Sequence, residues 1–334
     1  MCIRDSDKIL NADNTPLLNR ATSGLYRPGS TFKTITATAG LNEGIVTGET
    51  TYTCHQRMKF YDIEFGCTGY HNDISVAGAL RVSCNIYFYE LSRRLGIDKI
   101  TEYASLYGYG QHTGIETGDY AGAIGNPETF NDIGLDWTVG QVLQAAIGQS
   151  ETSVTPLQMA GVASTIANRG VRYKTHLVDS IYDYSMENEI EKIEPEIAET
   201  IDINYDYVYD YVIDGMVQAS ENNFPADYSL SNLGFDVAIK TGTPQNWRNG
   251  GEVTDSCFIG FAPADDPQIA FAGMIEGAEY SKYMIRSIIQ AYYKHYSEDG
   301  DFSDVKINYL DNSSKNSENE DSACLLYTSD AADE

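Results

Sequence analysis

Small and apolar residues recur at helical spacing from Thr31 to Leu41 and stop at Gly44, which predicts a helix opening just after the turn dipeptide Pro28-Gly29. Further helical runs follow. One starts on the cap Ser75 and reaches Val82, a second covers Ile86–Gly96, and a third, Ile97–Gly110, closes on glycines. Residues 114–135 are rich in Gly, Asn, Asp and Pro and read as a long loop. Two apolar helices come next, over 137–149 and 155–170; the second has Thr155 as cap, Pro156 at its first position and an Asn-Arg-Gly stop. From Val171 the period changes to two. Residues 171–184 alternate like a strand, 187–199 read as a solvated charged connection, and 205–219 as a helix. Three strands at 237–245, 255–263 and 268–277 are separated by turn residues, and 281–296 forms a last amphipathic helix. Residues 311–323 are a low-complexity polar tail, expected to be disordered. Helices in the middle with strands towards the end indicate an α+β fold with an antiparallel sheet.

Composition narrows the function classes. The chain has 334 residues, 42% hydrophobic and 11% aromatic, enough for a substantial core. Its net charge of −27 argues against nucleic-acid partners and against attraction to anionic lipid. A solvated surface plus an acidic tail accounts for the same number. The cysteines show no CxxC and no Cys/His metal spacing, so no metal site is expected. Cys54 and Cys67 bracket a stretch that reads as a hairpin. In an oxidising compartment they could pair as a disulfide, or they could stay two free thiols; the sequence leaves both open. Cys84 reads as a small buried residue, His55 and His71 as loop histidines, and Trp137 with Tyr87-Phe88-Tyr89 as core.

The chemistry begins at Ser30. This serine follows Pro28-Gly29 directly, and Lys33 stands one helical turn along. A hydroxyl beside an amine at a helix start is either a nucleophile with its base or a plain cap. Two further short signals follow in order: Ser83-Cys-Asn85, and Lys240-Thr241-Gly242-Thr243 on an apolar strand where a bare glycine permits close backbone approach. Singly these are weak. S-x-x-K recurs at Ser303, and S-x-N recurs at Ser220, Ser314 and Ser317. Ser303, Ser314 and Ser317 lie after the Lys-Thr-Gly strand, and Ser220 leads from a helix into a polar loop. S-x-x-K with S-x-N and K-T-G is the motif set of penicillin-binding proteins and related β-lactamases. With "NRATSGLYRPGSTFK", "TPLQMA", "IANRG", "IKTGTPQN" and "FIGFAP", the chain resembles the transpeptidase domain of a class B, high-molecular-weight penicillin-binding protein from Asn19 to about Glu276.

That resemblance implies a β-lactamase/transpeptidase-like fold, an antiparallel sheet flanked by helices plus an all-helical subdomain. It implies a serine-type D,D-transpeptidase that needs no cofactor, acts on peptidoglycan stem peptides ending in D-Ala-D-Ala, and is acylated by β-lactam antibiotics. Ser30 would be the nucleophile and Lys33 its base, neutral at working pH through burial or a nearby cation. Lys240 would supply that cation, Ser83 would relay a proton to the leaving amine, and Asn85 would hold Lys33 and the substrate amide. The backbone N–H groups of Ser30 and Thr243 would form the oxyanion hole, and the Thr241 and Thr243 hydroxyls flanking Gly242 would take the terminal carboxylate. The intact protein would lie on the outer face of the bacterial cytoplasmic membrane, with a membrane glycosyltransferase as a partner.

Two alternatives share the fold, a β-lactamase or β-lactam sensor and a catalytically silent binding module. A class A β-lactamase needs a loop carboxylate to activate the deacylating water; Glu128 is the nearest, in surroundings that do not otherwise match. Met1–Ser6 and Cys324–Glu334 lack periodicity and resemble translated sequencing adapter. The domain is therefore expected over 7–310, truncated at its N-terminus. Asp7–Leu18 shows no clear strand where the family's sheet has one or two, so an unpaired sheet edge is expected.

Overall fold

The computed structural model describes residue 12 and residues 15–222, 224–248 and 251–296. The polar tail and both end segments assigned from sequence lie outside the described residues. Residues 20–289, which hold every site residue above, form one compact unit. Among the described residues no helix is long and apolar enough to cross a membrane.

The centre of this unit is a three-stranded antiparallel sheet in the order Ile269–Ile275, Ser256–Ala262, Ala238–Gly242. The middle strand is buried along its whole length, as its unbroken run of small and apolar residues requires. Its register pairs Ile259 with Lys240 and Cys257 with Gly242. Helix Pro156–Ala167 packs on the strands Ile269–Ile275 and Ser256–Ala262, and helix Val208–Asn222 on the Lys240 strand. Thr155 closes the first of these with a capping box, its side chain accepting from Gln158 N–H while Gln158 Oε1 accepts from Thr155 N–H. Among the described residues no strand pairs with the outer edge of Ile269–Ile275.

Against this layer sits a helical part built around Lys33–Asn42, all ten residues of which are buried. A helix buried on every face must satisfy its polar groups internally. Thr34 and Thr38 hydroxyls donate to backbone carbonyls one turn back, and Thr36 donates to Ala146 O at 2.8 Å. Helix Asn85–Leu106 packs beside it, kinked at Gly96, whose φ of 80° breaks the run where the sequence placed a helix end. The hairpin between Cys54 and Cys67 is present, Arg57–Phe60 against Ile63–Gly66.

Three elements depart from the sequence reading. The long loop over 114–135 contains a helix, Pro127–Asp132, because Asn126 Oδ1 caps Thr129 N–H and Pro127 fits a first helical position. The charged connection after residue 186 pairs as strands Glu189–Lys192 and Ile197–Thr200. Its alternation of Glu and Ile was a strand signal hidden by charge. Only Gln141–Ala145 of the apolar run 137–149 is helical.

Candidate active site

Pro28 opens a 3₁₀ turn, Gly29–Phe32, that runs straight into the buried helix starting at Lys33. Ser30 is half-buried on this turn and is no cap: the preceding Pro28 is αR, and no side chain caps either helix start. The turn is clamped by close backbone contact. Gly29 N–H donates to Gly148 O at 3.0 Å, and a Cβ on Gly148 would meet Gly29 O at 2.4 Å. Gly242 lies against the turn on the other side. A Cβ there would meet Cys257 Sγ at 2.7 Å, Pro28 O at 2.9 Å and Ser30 N at 3.2 Å. Glycine in the Lys-Thr-Gly strand is thus what lets the strand touch the serine's turn.

Ser83 arrives by a different device. Helix Val76–Arg81 ends in a Schellman-type cap: Cys84 N–H bonds Ala79 O at 2.9 Å and Ser83 N–H bonds Leu80 O at 3.3 Å. The residue after the C-cap takes the left-handed conformation, normally a glycine's place; here it is Ser83, with φ of 55°. The chain then enters the next helix at Asn85, so Ser83 and Asn85 face the same point from a tight junction.

That point is Lys33 Nζ. Lys33 Nζ lies 2.8 Å from Ser83 O, 3.1 Å from Ser83 Oγ and 2.6 Å from Asn85 Oδ1. Lys240 Nζ reaches the same Ser83 Oγ at 3.1 Å and donates to Thr241 O at 2.9 Å. Both lysines are buried, 0% and 1% exposed, with no carboxylate among the partners of either nitrogen. Burial, and then the charge of Lys240, hold the Lys33 amine well below its usual range. Burial brings Lys240 down to about 8. A neutral Lys33 keeps two N–H donors for Ser83 O and Asn85 Oδ1, which can only accept. Its lone pair is left for the Ser83 hydroxyl, the one neighbour able to donate. Lys240 can in turn donate to Ser83 Oγ, giving a chain Lys240–Ser83–Lys33 that moves protons without moving heavy atoms. Thr241 is half-buried at the strand's end and Thr243 is exposed just beyond it, beside the Ser30 turn. Glu128 is exposed on its short helix and joins none of these hydrogen bonds.

The cysteines bear on two expectations. Of the two states left open for Cys54 and Cys67, the structure holds the free thiols, as it does for Cys84 and Cys257. The ligand atoms of Cys54, Cys67, His71 and Cys84 lie within 4.8 Å of one another, so the absence of a metal-like spacing in sequence did not mean the absence of a metal-like cage. The Cys54 and Cys67 sulfurs stand 3.4 and 3.6 Å from His71 Nδ1, and the Cys67 and Cys84 sulfurs 3.8 Å apart. Zinc bonds of about 2.3 Å to sulfur and 2.0–2.1 Å to nitrogen, set tetrahedrally, give edges of about 3.8 Å (S to S) and about 3.6 Å (S to N). The donor set therefore suits a closed, structural zinc-class ion. Cys84 lies between Ser83 and Asn85, Asn85 N–H donates to Cys67 Sγ at 3.2 Å, and Asn85 Nδ2 to Gly66 O at 3.1 Å. Such an ion would supply a cross-link between the hairpin and the junction that carries both side chains. The sequence reads His71 as a loop histidine and Cys84 as a small buried residue, with no site role, and gives none to Arg27 and Gln149, which touch the segment around Thr243.

Comparison with known proteins agrees with this geometry. Residues 4–293 match the family model of the penicillin-binding protein transpeptidase domain. The peptidoglycan D,D-transpeptidase MrdA of Escherichia coli K12 is 28% identical over 293 residues, which is 82% of this chain and 46% of MrdA. The chain thus spans about half the length of this curated relative. The crystal structure of Pseudomonas aeruginosa PBP2 in complex with WCK 5153 superposes with a TM-score of 0.78 at 26% identity, covering 92% of this chain and 67% of that one. Penicillin-binding protein A of M. tuberculosis, solved as an imipenem acyl-enzyme, gives a TM-score of 0.74 at 25% identity over 86% and 64% of the two chains. The order of the three motifs, their convergence on one buried lysine and these matches agree: the chain belongs to the penicillin-binding protein transpeptidase family.

Proposed function

We propose that this chain is the catalytic domain of a peptidoglycan D,D-transpeptidase. The observation that carries the reading is the pair of buried lysines sharing Ser83 Oγ, one of them a single helical turn from Ser30. Ser30 Oγ attacks the carbonyl carbon of the penultimate D-Ala of a stem peptide and passes its proton to the neutral Lys33 amine. The negative charge that develops on the carbonyl oxygen is met by the Ser30 and Thr243 N–H groups. As the peptide C–N bond breaks, the proton moves from Lys33 through the Ser83 hydroxyl to the leaving nitrogen, and D-Ala departs. An amine from a neighbouring stem peptide then attacks the acyl carbon; its proton passes through Ser83 to Lys33 and on to Ser30 Oγ as the ester bond breaks, leaving the cross-link and free Ser30. Charged Lys240, with the Thr241 and Thr243 hydroxyls, anchors the substrate's terminal carboxylate, and Asn85 orients Lys33 and the substrate amide. No cofactor enters this sequence. A β-lactam satisfies the same contacts and acylates Ser30.

On this reading the domain works at the outer face of the bacterial cytoplasmic membrane, with stem peptides as substrates and a membrane glycosyltransferase supplying the glycan. The test is intact-mass spectrometry after incubation with benzylpenicillin, using Ser30→Ala as control. A persistent single penicilloyl adduct, absent from the variant, is expected. Rapid hydrolysis of the drug without a lasting adduct would assign a β-lactamase, and a folded protein with neither adduct nor hydrolysis would assign a catalytically silent module.

A further inference from the structure

The oxyanion hole of the proposed reaction has two walls on separate segments. Ser30 N–H belongs to the turn Gly29–Phe32, and Thr243 N–H comes one residue after the end of the strand Ala238–Gly242. The ladder with the central strand ends at the pair Gly242–Cys257, so Thr243 lies just outside it. Something else must set where Thr243 sits relative to Ser30.

The ties come from the nucleophile's own neighbourhood. Arg27, three residues before Ser30, donates from Nη1 to Gln245 O at 3.0 Å and from Nη2 to Glu151 Oε1 at 2.8 Å. The Gln149 side-chain amide spans the same turn: Nε2 donates to Thr243 O at 3.4 Å, and Oε1 accepts from Gln245 N–H at 3.3 Å. The segment carrying Gln149 and Glu151 is itself fixed to the nucleophile segment at both ends, by Gly29 N–H to Gly148 O and by the reciprocal backbone pair of Tyr26 with Val154. Behind the turn, Asp255 N–H holds Pro244 O at 3.0 Å. A planar guanidinium with one edge on a backbone carbonyl and the other on a carboxylate is a stiff spacer, which an ammonium on a flexible stem is not.

We propose that Arg27, held by Glu151, and Gln149 are positioning residues that fix the separation of the two oxyanion donors. They touch neither substrate nor the reacting atoms; they act on Thr243 through its own carbonyl and through the backbone of Gln245, two residues on. The proposal rests on the acyl-transfer reading of the site, and its test separates the two.

Rapid-quench mass spectrometry with benzylpenicillin resolves the dissociation constant of the initial complex from the first-order acylation rate constant. Arg27→Ala and Gln149→Ala should each lower the acylation rate constant by about tenfold, the scale of a sub-ångström misplacement at a reacting centre, and leave the dissociation constant within about twofold. Arg27→Lys, which can keep one of the two contacts, should recover part of the loss. Amide hydrogen exchange across 243–245 in the same proteins needs no acylation and should accelerate in both alanine variants. Wild-type acylation and unaltered exchange would overturn the proposal, as would losses explained by a smaller folded fraction. If wild-type protein formed no Ser30 adduct the acyl-transfer reading would fall, while the exchange result would still decide whether Arg27 and Gln149 hold the turn.

Discussion

Ser83 occupies a glycine's position, and this separates its structural cost from its chemical use. A side chain in the left-handed region costs roughly 1–2 kcal/mol relative to the ordinary helical region, while glycine adopts it freely. Ser83→Ala and Ser83→Gly both remove the Oγ that Lys33 and Lys240 share, so that loss cancels when the two variants are compared. What remains is the Cβ at φ of 55°. Setting glycine's greater freedom in the unfolded chain, about 0.5–1 kcal/mol, against the strain leaves Ser83→Gly more stable than Ser83→Ala by about 1 kcal/mol. In a domain of this size that is a difference in Tm of about 2–3 °C, measurable by calorimetry or urea unfolding. In the penicillin assay both variants should be slowed by roughly 10²–10⁴-fold, the usual contribution of a positioned proton donor or acceptor. An alanine variant at least as stable as the glycine variant would refute the strain argument. A glycine variant that acylates at the wild-type rate would refute the proton relay through Ser83.

The lysine pair predicts a bell-shaped pH profile for acylation. The rate rises with pH as Lys33 loses its proton within its lowered range, and falls as Lys240 deprotonates at about 8. Lys240→Arg should remove the alkaline limb, and a flat wild-type profile from pH 8 to 10 would contradict the assignment. The same shift makes stability pH-dependent. An unfolded lysine titrates near ~10.4, so between about 8 and ~10.4 the unfolded chain binds more protons than the folded one and stability rises with pH, a slope that Lys240→Met should reduce in urea titrations while the lowered Lys33 keeps the rest. Gly242→Ala should destabilise by roughly 1–3 kcal/mol and slow penicillin labelling, since its Cβ would press on Cys257 Sγ, Pro28 O and Ser30 N at once. Cys257→Ala in the same chain should restore only part, because Pro28 O stays. Cobalt(II) added to reduced, chelator-treated protein should give tetrahedral thiolate absorption at one equivalent, weakened by Cys54→Ser, and zinc should raise Tm; absence of both would exclude the cage as a metal site.

What could be read from the sequence, and what could not, follows from how far apart the cooperating residues lie in the chain. Helices such as Pro156–Ala167 carry their cap, first-turn proline and stop signal within sixteen residues, and they appear where those signals fall. The sheet strands were visible because apolar runs bounded by turns are local too. The motifs of the site could be listed, but not the reason for their residue types. Which atoms press on Gly242 follows only from where Pro28, Ser30 and Cys257 stand, and that burial outweighs the Lys240 charge in lowering the Lys33 amine follows only from the fold. The thiol cage is the limiting case. Its four donors are separated by 13, 4 and 13 residues, with none of the short paired spacings that identify zinc fingers. In the fold, the hairpin Arg57–Gly66 returns the chain so that Cys54 and Cys67 flank its base. The pairing of Tyr52–Cys54 with Asn72–Ile74 carries His71 back to Cys54, and the Schellman turn at Ser83 delivers Cys84 to the same place. Each of those three steps is an ordinary local structure. The cage exists because they share one end of the helix that begins at Asn85, which is also the end that holds Lys33. The hairpin's base, more than fifteen residues from Asn85 in sequence, is thus joined to the Lys33 amine by two hydrogen bonds, Asn85 N–H to Cys67 Sγ and Lys33 Nζ to Asn85 Oδ1.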